Sequence, residues 1–115
     1  MEELAGKWKY RETYTGGEAT GELSLRESEG LLAGKIIFTD RTADGQACMI
    51  QETVSGHVEG RKVKLEAMDY DVIHPDTPLH YELDTWFGIR VDDATIIGMS
   101  MDAQGVEGRF IFEKA

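Results

Sequence analysis

The first and last segments of the chain are also its best candidate strands. Residues 6–10, Gly-Lys-Trp-Lys-Tyr, and residues 108–112, Gly-Arg-Phe-Ile-Phe, both place an aromatic side chain at every second position. This two-residue period is typical of a β-strand with one buried face. Two outer strands of this quality can pair with each other, and such pairing removes the exposed edges of a sheet. The feature therefore predicts a sheet that closes on itself.

The rest of the chain favours the same architecture. No window of ten or more residues has a clear 3.6-residue apolar period, whereas two-residue alternation recurs between breaks rich in Gly or Asp. We predict an all-β protein, an eight-stranded antiparallel up-and-down (meander) β-barrel in one domain spanning residues 1–115. The predicted strands are residues 6–14, 19–27, 31–40, 47–58, 62–71, 79–89, 95–101 and 106–113.

Composition narrows the classes of partner. Twelve basic residues against 22 acidic ones give a net charge of −10, which repels phosphate backbones and anionic lipid. We therefore expect neither nucleic acid nor a membrane as partner. The single Cys48 cannot form an internal disulfide. No leader-like segment precedes the first strand, so a cytoplasmic location is expected, with a trimmed export signal as the open alternative.

The order of the turns predicts a closed end and an open end. Each strand of a meander reverses direction, so alternate turns lie at the same end of the barrel. The end that contains Trp8 also receives the tight turns at 28–30, 59–61 and 90–94. The opposite end receives the turns at 15–18, 41–46, 72–78 and 102–105, including the two longest. We call the Trp8 end the floor and the opposite end the mouth.

Alternation also divides the side chains that are expected to face inward. Near the floor they are apolar: Trp8, Leu25, Val54, Val58, Val63, Leu65, Phe87, Ile97 and Phe112. Towards the mouth they are Glu12, Tyr14, Phe38, Asp40, Glu52, Asp69, Asp71, Tyr81, Met99, Met101 and Phe110. Buried carboxylates are costly unless compensated, so the acids indicate water, a metal or a ligand in the upper lumen. The alternative, that bulges reverse the parity and return some acids to solvent, stays open.

The opening Gly6-Lys7-Trp8, followed by the strand meander and a basic residue near the end of the last strand, resembles the calycin superfamily of lipocalin-like and avidin-like barrels. The resemblance implies that Trp8 plugs the closed end and that Arg109 or Lys114 packs across it. It also implies binding of small molecules, without a particular ligand. The chain departs from lipocalins because no helix follows the eighth strand, and from avidins because it lacks several inward tryptophans, so biotin is not implied.

Three functions fit these observations. The first is a non-enzymatic barrel that binds a small apolar or aromatic molecule, with a cationic group as an option, in the upper lumen. Its predicted ligand-binding residues are Glu12, Tyr14, Phe38, Glu52, Asp69, Tyr81, Met99, Met101 and Phe110. The second is a calycin-like isomerase or cyclase in which Glu52 or Asp69 acts as a general acid or base. The third is a protein-interaction module with a filled barrel.

The remaining candidate residues do not predict a particular reaction. Cys48 is expected to be a packed hydrophobe, and the histidines and acids around residues 69–84 are expected to form a solvated rim. No catalytic, cofactor or metal motif is present, so we predict no catalytic residue, no cofactor and no metal site.

Trp86, Ile96 and Ile111 share an outward parity, which predicts a homodimer through that patch. A bulge in the sixth strand that turns Trp86 inward is the open alternative.

Overall fold

The fold is a closed barrel of eight antiparallel strands that follow one another in sequence order, as the alternation predicts. The computed structural model describes residues 4–74 and 82–115. The strands are β1 (Gly6–Tyr14), β2 (Gly17–Ser28), β3 (Leu31–Thr42), β4 (Ala47–Glu59), β5 (Lys62–His74), β6 (Asp84–Asp92), β7 (Thr95–Asp102) and β8 (Glu107–Lys114). No helix within the described ranges is long and apolar enough to cross a membrane. Tyr81 and both prolines lie outside the described residues.

Closure depends on the pairing of the first strand with the last. Strand β1 pairs with β8 from Trp8↔Lys114 to Tyr14↔Gly108, and Tyr10 lies opposite Phe112. The Tyr10 and Phe112 rings pack inside the barrel with centroids 5.4 Å apart. Aromatic pairs at this spacing add to the stability that burial alone provides. The two segments that begin and end the alternation therefore meet and complete the core.

Tight turns and internal glycines allow the sheet to coil. The β2–β3 turn has positive φ at both Glu29 and Gly30, the geometry that a two-residue hairpin requires. Within β3 and β4, a Cβ on Gly34 would lie 1.9 Å from the Ser24 carbonyl oxygen, and one on Gly56 would lie 1.8 Å from that of Lys64. Only glycine permits neighbouring strands to approach this closely where the sheet bends.

The floor of the barrel is sealed by Trp8. This ring is fully buried, and its Nε1 donates a hydrogen bond to the Leu4 carbonyl oxygen at 3.0 Å. The Leu4 amide in turn donates to Glu27 Oε1 at 2.9 Å. The Lys114 ammonium lies 5.2 Å from the centroid of the Trp8 ring, so Lys114 rather than Arg109 covers the plug. Leu4 is also fully buried, and the sequence pattern does not predict its part in the seal.

The predicted parity is wrong in β6 and β7. Trp86 and Ile96 are buried inside the barrel, whereas Phe87 is 52% exposed and Ile97 is 44% exposed on its outer surface. Met99 and Met101 also point outward, at 50% and 42% exposure. Both faces of these strands carry large apolar residues, so hydrophobicity alone does not distinguish them. Inside the barrel, the Trp86 indole Nε1 donates a hydrogen bond to Glu12.

A bulge reverses the parity of β5 near its middle. Thr53 pairs with Asp69 but Val54 pairs with Ala67, so Met68 is an extra residue in β5. Leu65 and Ala67 therefore face the core before the bulge, and Tyr70 is partly buried after it. The prediction that Asp69 and Asp71 face the lumen is wrong, because both are exposed to solvent.

The predicted dimer patch does not exist on the outer surface. Trp86 and Ile96 are each 1% exposed, and Ile111 alone remains partly accessible. A different set of apolar side chains covers the outside of β6 and β7. We call it the outer wall: Phe87, Ile89, Ile97, Met99 and Met101.

Candidate functional site

A carboxylate-lined cleft opens at the mouth of the barrel. It has a volume of about 380 Å³ and lies where β1, β3, β6 and β7 approach their mouth ends. Five carboxylates contribute to it, together with the Tyr14 ring and a few small or apolar groups. Its lining is Glu12, Tyr14, Thr15, Gly16, Asp40, Glu82, Asp84, Asp102, Gln104 and Val106. None of these described lining residues carries a positive charge, so the cleft has a negative potential.

Glu12 forms the best-ordered part of the cleft. Its Oε1 accepts hydrogen bonds from the Tyr10 hydroxyl and, at 3.2 Å, from the Trp86 indole Nε1. The Ser100 hydroxyl supplies a third hydrogen bond. Burial raises the pKa of Glu12, while these three donors oppose the increase because they favour the charged form. The arrangement fixes the position of the Glu12 carboxyl in the lining of the cleft.

Gly108 provides the space for this arrangement. A Cβ on Gly108 would lie 2.7 Å from Glu12 Oε2 and 2.8 Å from Ser100 Oγ. Any side chain at this position would therefore push the carboxylate or the hydroxyl away. Gly108 lies in β8, and its lack of a side chain leaves room for the Glu12 carboxyl and the Ser100 hydroxyl of the site.

Glu52 is a buried carboxyl without a hydrogen-bond partner among the described residues. It is 0% exposed, and neither of its side-chain oxygens is hydrogen-bonded. Burial raises the pKa of Glu52 to about 9, with the nearby charges of Asp84 and Glu12 contributing in the same direction. Its carboxyl is therefore protonated at neutral pH. Glu52 is not part of the cleft lining, but it lies within electrostatic range of two residues that are, Asp84 and Glu12.

Tyr14 and Asp40 form the other polar pair of the cleft. The Tyr14 hydroxyl donates a hydrogen bond to Asp40 Oδ1. Burial and the Asp40 carboxylate both raise the pKa of Tyr14, so the hydroxyl stays protonated. The ring of Tyr14 gives the cleft an aromatic wall next to its acidic groups.

The structure brings together some of the predicted binding residues and separates others. Glu12 and Tyr14 line the cleft, and Phe38, Glu52 and Phe110 are buried in the lumen. Asp69, Met99 and Met101 lie on the outside of the barrel, because of the bulge in β5 and the reversed parity of β7. Tyr81 lies outside the described residues.

Sequence reasoning missed three of the five carboxylates of the cleft. Asp84, Asp102 and Glu82 all line it, although the alternation predicts an outward direction for Glu82 and Asp84. Asp84 and Asp102 are directly paired across β6 and β7. The parity of Trp86 is the signal that could have located Asp84, because residues two apart in a strand share a face.

The other candidate groups offer no reactive centre. Partial burial raises the pKa of the Cys48 thiol, and Asp40 raises it further, so the thiol is not activated. Within residues 4–74 and 82–115, no group of three or more His, Cys, Asp or Glu side chains is arranged to hold a metal ion.

Comparison with known proteins supports the fold. The chain is similar to the redesigned β-barrel mFAP1 bound to DFHBI, with a TM-score of 0.68, 12% identity, and coverage of 97% of this chain and 95% of that one. It is also similar to EF1p2_mFAP2b bound to DFHBI, with a TM-score of 0.70, 10% identity, and coverage of 98% and 94%. A de novo designed fluorescence-activating β-barrel has a TM-score of 0.60, 16% identity, and coverage of 96% and 93%.

At these identities the likeness concerns the fold. No model of a protein family and no curated protein matches the sequence. A function must therefore be argued from the cleft itself.

Proposed function

We propose that this protein is a non-catalytic barrel that binds a small organic molecule in the mouth cleft and the adjoining upper lumen. The observation that carries this proposal is the cleft of about 380 Å³, two of whose lining carboxyls, Glu12 and Asp84, lie within electrostatic range of the fully buried, unpartnered carboxyl of Glu52. Small-molecule sites have volumes of this order and combine apolar walls with a few polar groups. An unpartnered carboxyl in a protein interior is unfavourable, so its presence favours a role in binding.

The walls of the cleft suit a compact ligand. Tyr14 and Val106 supply apolar surface, and the carboxylates supply hydrogen-bond acceptors. The lower lumen is filled by packed aromatic rings, with Phe110 and Phe112 centroids 4.9 Å apart. The ligand is therefore proposed to occupy the upper part of the lumen only.

The similar structures support small-molecule binding in general. The barrels mFAP1 and EF1p2_mFAP2b are each described as bound to the small molecule DFHBI, so a closed barrel of this size is compatible with a ligand. We also propose a relation to the calycin barrels. Its support is Gly6-Lys7-Trp8 at the start of β1, the buried Trp8 plug, and Lys114 packed over that ring.

The test is an NMR titration of the ¹⁵N-labelled protein with small cationic, neutral and anionic aromatic molecules of matched size. We expect saturable shifts of the Gly16 and Gln104 amides, which border the cleft. The Gly30 and Gly60 amides, in turns at the floor, serve as internal controls and should not move. If no molecule of the series shifts the cleft amides, the binding proposal is wrong.

A second candidate function, a protein-interaction module, is favoured by the outer wall. Apolar side chains on neighbouring strands face solvent there, with Phe87 opposite Met99 and Ile89 opposite Ile97. Soluble proteins tend to cover such patches. Sedimentation velocity across a wide concentration range tests self-association, the form of interaction that needs no other component. Association that Met99→Lys abolishes and Ile37→Lys, on β3, preserves would support it, and a monomer at all concentrations would contradict it.

A further inference from the structure

A second groove lies on the outside of the barrel, away from the mouth cleft. It has a volume of about 380 Å³ and crosses the outer face of β2, β3 and β4. Its described lining is Glu22, Ser24, Leu25, Arg26, Ala33, Gly34, Lys35, Ile37, Thr53 and Val54. This outer groove shares no described lining residue with the mouth cleft, and none of the predicted binding residues contributes to it. It therefore needs an explanation of its own.

Two cations lie side by side in the outer groove. Arg26 on β2 is paired with Ala33 on β3, and Lys35, two residues further along β3, is paired with Ser24. Arg26 and Lys35 are therefore diagonal neighbours on one face of the sheet, about 7 to 8 Å apart, a distance that long side chains can bridge. Both are exposed, and neither has an ion-pair partner among the described residues. The two like charges repel each other, and a bound anion would relieve that repulsion.

The acids near this pair do not cancel its charge. Glu22 is the one carboxylate among the described lining residues, and its Oε1 lies 3.8 Å from Nζ of Lys7 on β1. Asp69 is paired with Thr53, two strands from Lys35, which corresponds to about 10 Å across the sheet. The net charge of −10 acts from further away, and physiological salt screens exposed charges beyond about 8 Å. We therefore expect a positive local potential over the two cations.

The other lining residues supply hydroxyl donors and apolar surface. Ser24 and Thr53 lie on either side of Lys35, and each carries a hydroxyl that can donate a hydrogen bond. Ile37 is 41% exposed, and Ala33, four residues earlier on the same face of β3, is partly buried. A groove that combines cations, hydroxyls and apolar surface matches an organic anion better than a bare inorganic one.

We propose that the outer groove binds a small organic carboxylate, whose charged group lies between Arg26 and Lys35 and whose short aromatic or aliphatic body contacts the apolar lining. The guanidinium of Arg26 can donate two parallel N–H hydrogen bonds to one carboxylate, and the Lys35 ammonium adds a further donor. The aliphatic stem of Lys35 adds apolar surface next to Ile37. The site is separate from the mouth cleft, so it does not depend on the proposed function.

The test is an NMR titration of the ¹⁵N-labelled protein at pH 7 with benzoate, which has both a carboxylate and an apolar body. Benzyl alcohol keeps the ring without the charge, benzylamine reverses the charge, and inorganic phosphate has the charge without the ring. We expect benzoate to cause saturable shifts of the Gly34 and Lys35 amides, and each of the other three probes to bind there more weakly, by about tenfold or more. The Gly60 amide, in a turn at the floor, should not move.

Two substitutions test the cations, and a third is the matched control. Arg26→Gln and Lys35→Gln together should weaken benzoate by about tenfold or more, and each alone should produce part of this effect. Lys62→Gln removes the same charge from an exposed position at the start of β5, outside the groove lining, and should leave the affinity unchanged. All three positions are exposed, so we expect the variants to remain folded.

The outcomes separate this inference from the proposed function. Equal affinity of benzoate for the parent and the double variant would overturn the inference, and so would phosphate, benzylamine or benzyl alcohol binding at these amides as tightly as benzoate. Shifts confined to Gly16 and Gln104 would place benzoate in the mouth cleft, which also overturns the inference while the proposed function stands. Absence of any benzoate shift at Gly34 and Lys35 would show that the outer groove is not a carboxylate site.

Discussion

The floor and the mouth are the two ends of the same strands, but the polar groups at each end have different surroundings. At the floor, the buried Trp8 indole N–H is bonded to Leu4, and the adjacent cation, Lys114, lies over the ring at the barrel end. At the mouth, acidic groups gather and one fully buried carboxyl has no hydrogen-bond partner among the described residues. At the floor, the buried indole N–H therefore has its hydrogen-bond acceptor within the chain itself. The described lining of the mouth lacks a positive group, and this difference is the reason that the proposed binding site is placed at the mouth.

The largest expected effect concerns the floor. Trp8→Ala removes a fully buried ring and leaves a cavity beneath the core, so we expect it to lower the free energy of unfolding by roughly 3 to 5 kcal/mol. Phe87→Ala is the control, because this ring is half exposed on the outer wall and should cost less than about 1 kcal/mol. Chemical denaturation measures both. Equal losses in the two variants would show that Trp8 is not the plug.

The second effect concerns Glu52 and the dependence of stability on pH. Its carboxyl is protonated in the folded protein up to pH about 9 but ionised above about pH 4.5 in the unfolded chain. The unfolded state therefore binds fewer protons in this window, and stability falls as pH rises, by at most about 1.4 kcal/mol per pH unit for this group. Glu52→Gln should remove that slope and be more stable than the parent at pH 8, by about 1 to 3 kcal/mol.

Urea denaturation from pH 5 to pH 9 measures this effect, with Glu18→Gln as the control for the loss of a charge. The control should retain the slope of the parent. A Glu52→Gln variant that retains it as well would contradict the assignment of the buried proton to this residue.

A third, smaller effect tests the contrast between the two buried acids. Ser100→Ala removes one of the three donors that favour the charged form of Glu12 and oppose the increase in its pKa, and should cost about 1 to 2 kcal/mol at pH 8. The loss should be smaller at pH 4, because the neutral acid gains less from the donor. An equal or larger loss at pH 4 would mean that Ser100 acts through packing alone.

The smallest effect returns to the floor. Lys114→Met keeps the aliphatic stem over Trp8 but removes the charge, and should cost about 0.5 to 1 kcal/mol. Lys35→Met on the exposed face of β3 is the matched control and should be close to neutral. If the two substitutions have equal effects on the urea midpoint, the cation contributes nothing to the seal.

The barrel itself could be predicted from the sequence because the strands alternate between breaks rich in Gly or Asp, and β1 to β3 each have one clearly apolar face. Trp8, Leu23, Ile36 and Ile50 lie inside as the alternation requires, and the turns fall where Gly and Asp mark them. Where both faces are apolar, as at Trp86 and Phe87, the choice depends on a hydrogen bond from the indole to Glu12 across the lumen. A contact so distant in sequence leaves no local pattern.

The site could be predicted only in part for the same reason. Glu12 lies on a strand with a clear alternation and Glu52 on one whose two faces differ little, and both are buried inside as expected. Asp69 could not be placed correctly because the extra residue Met68 in β5 has no signal in composition or spacing. Asp84 and Asp102 escape prediction because the apolar pattern of their strands favours the wrong parity. The cytoplasmic location stays a prediction.

The protonation of Glu52 can be observed directly by ¹³C NMR of its side-chain carboxyl, titrated with pH. We expect the carboxyl to remain protonated at pH 7 and to ionise near pH 9. If Glu52 ionises at about pH 4.5, as an exposed glutamate does, then the upper lumen contains no neutral buried carboxyl and the contrast between mouth and floor is wrong.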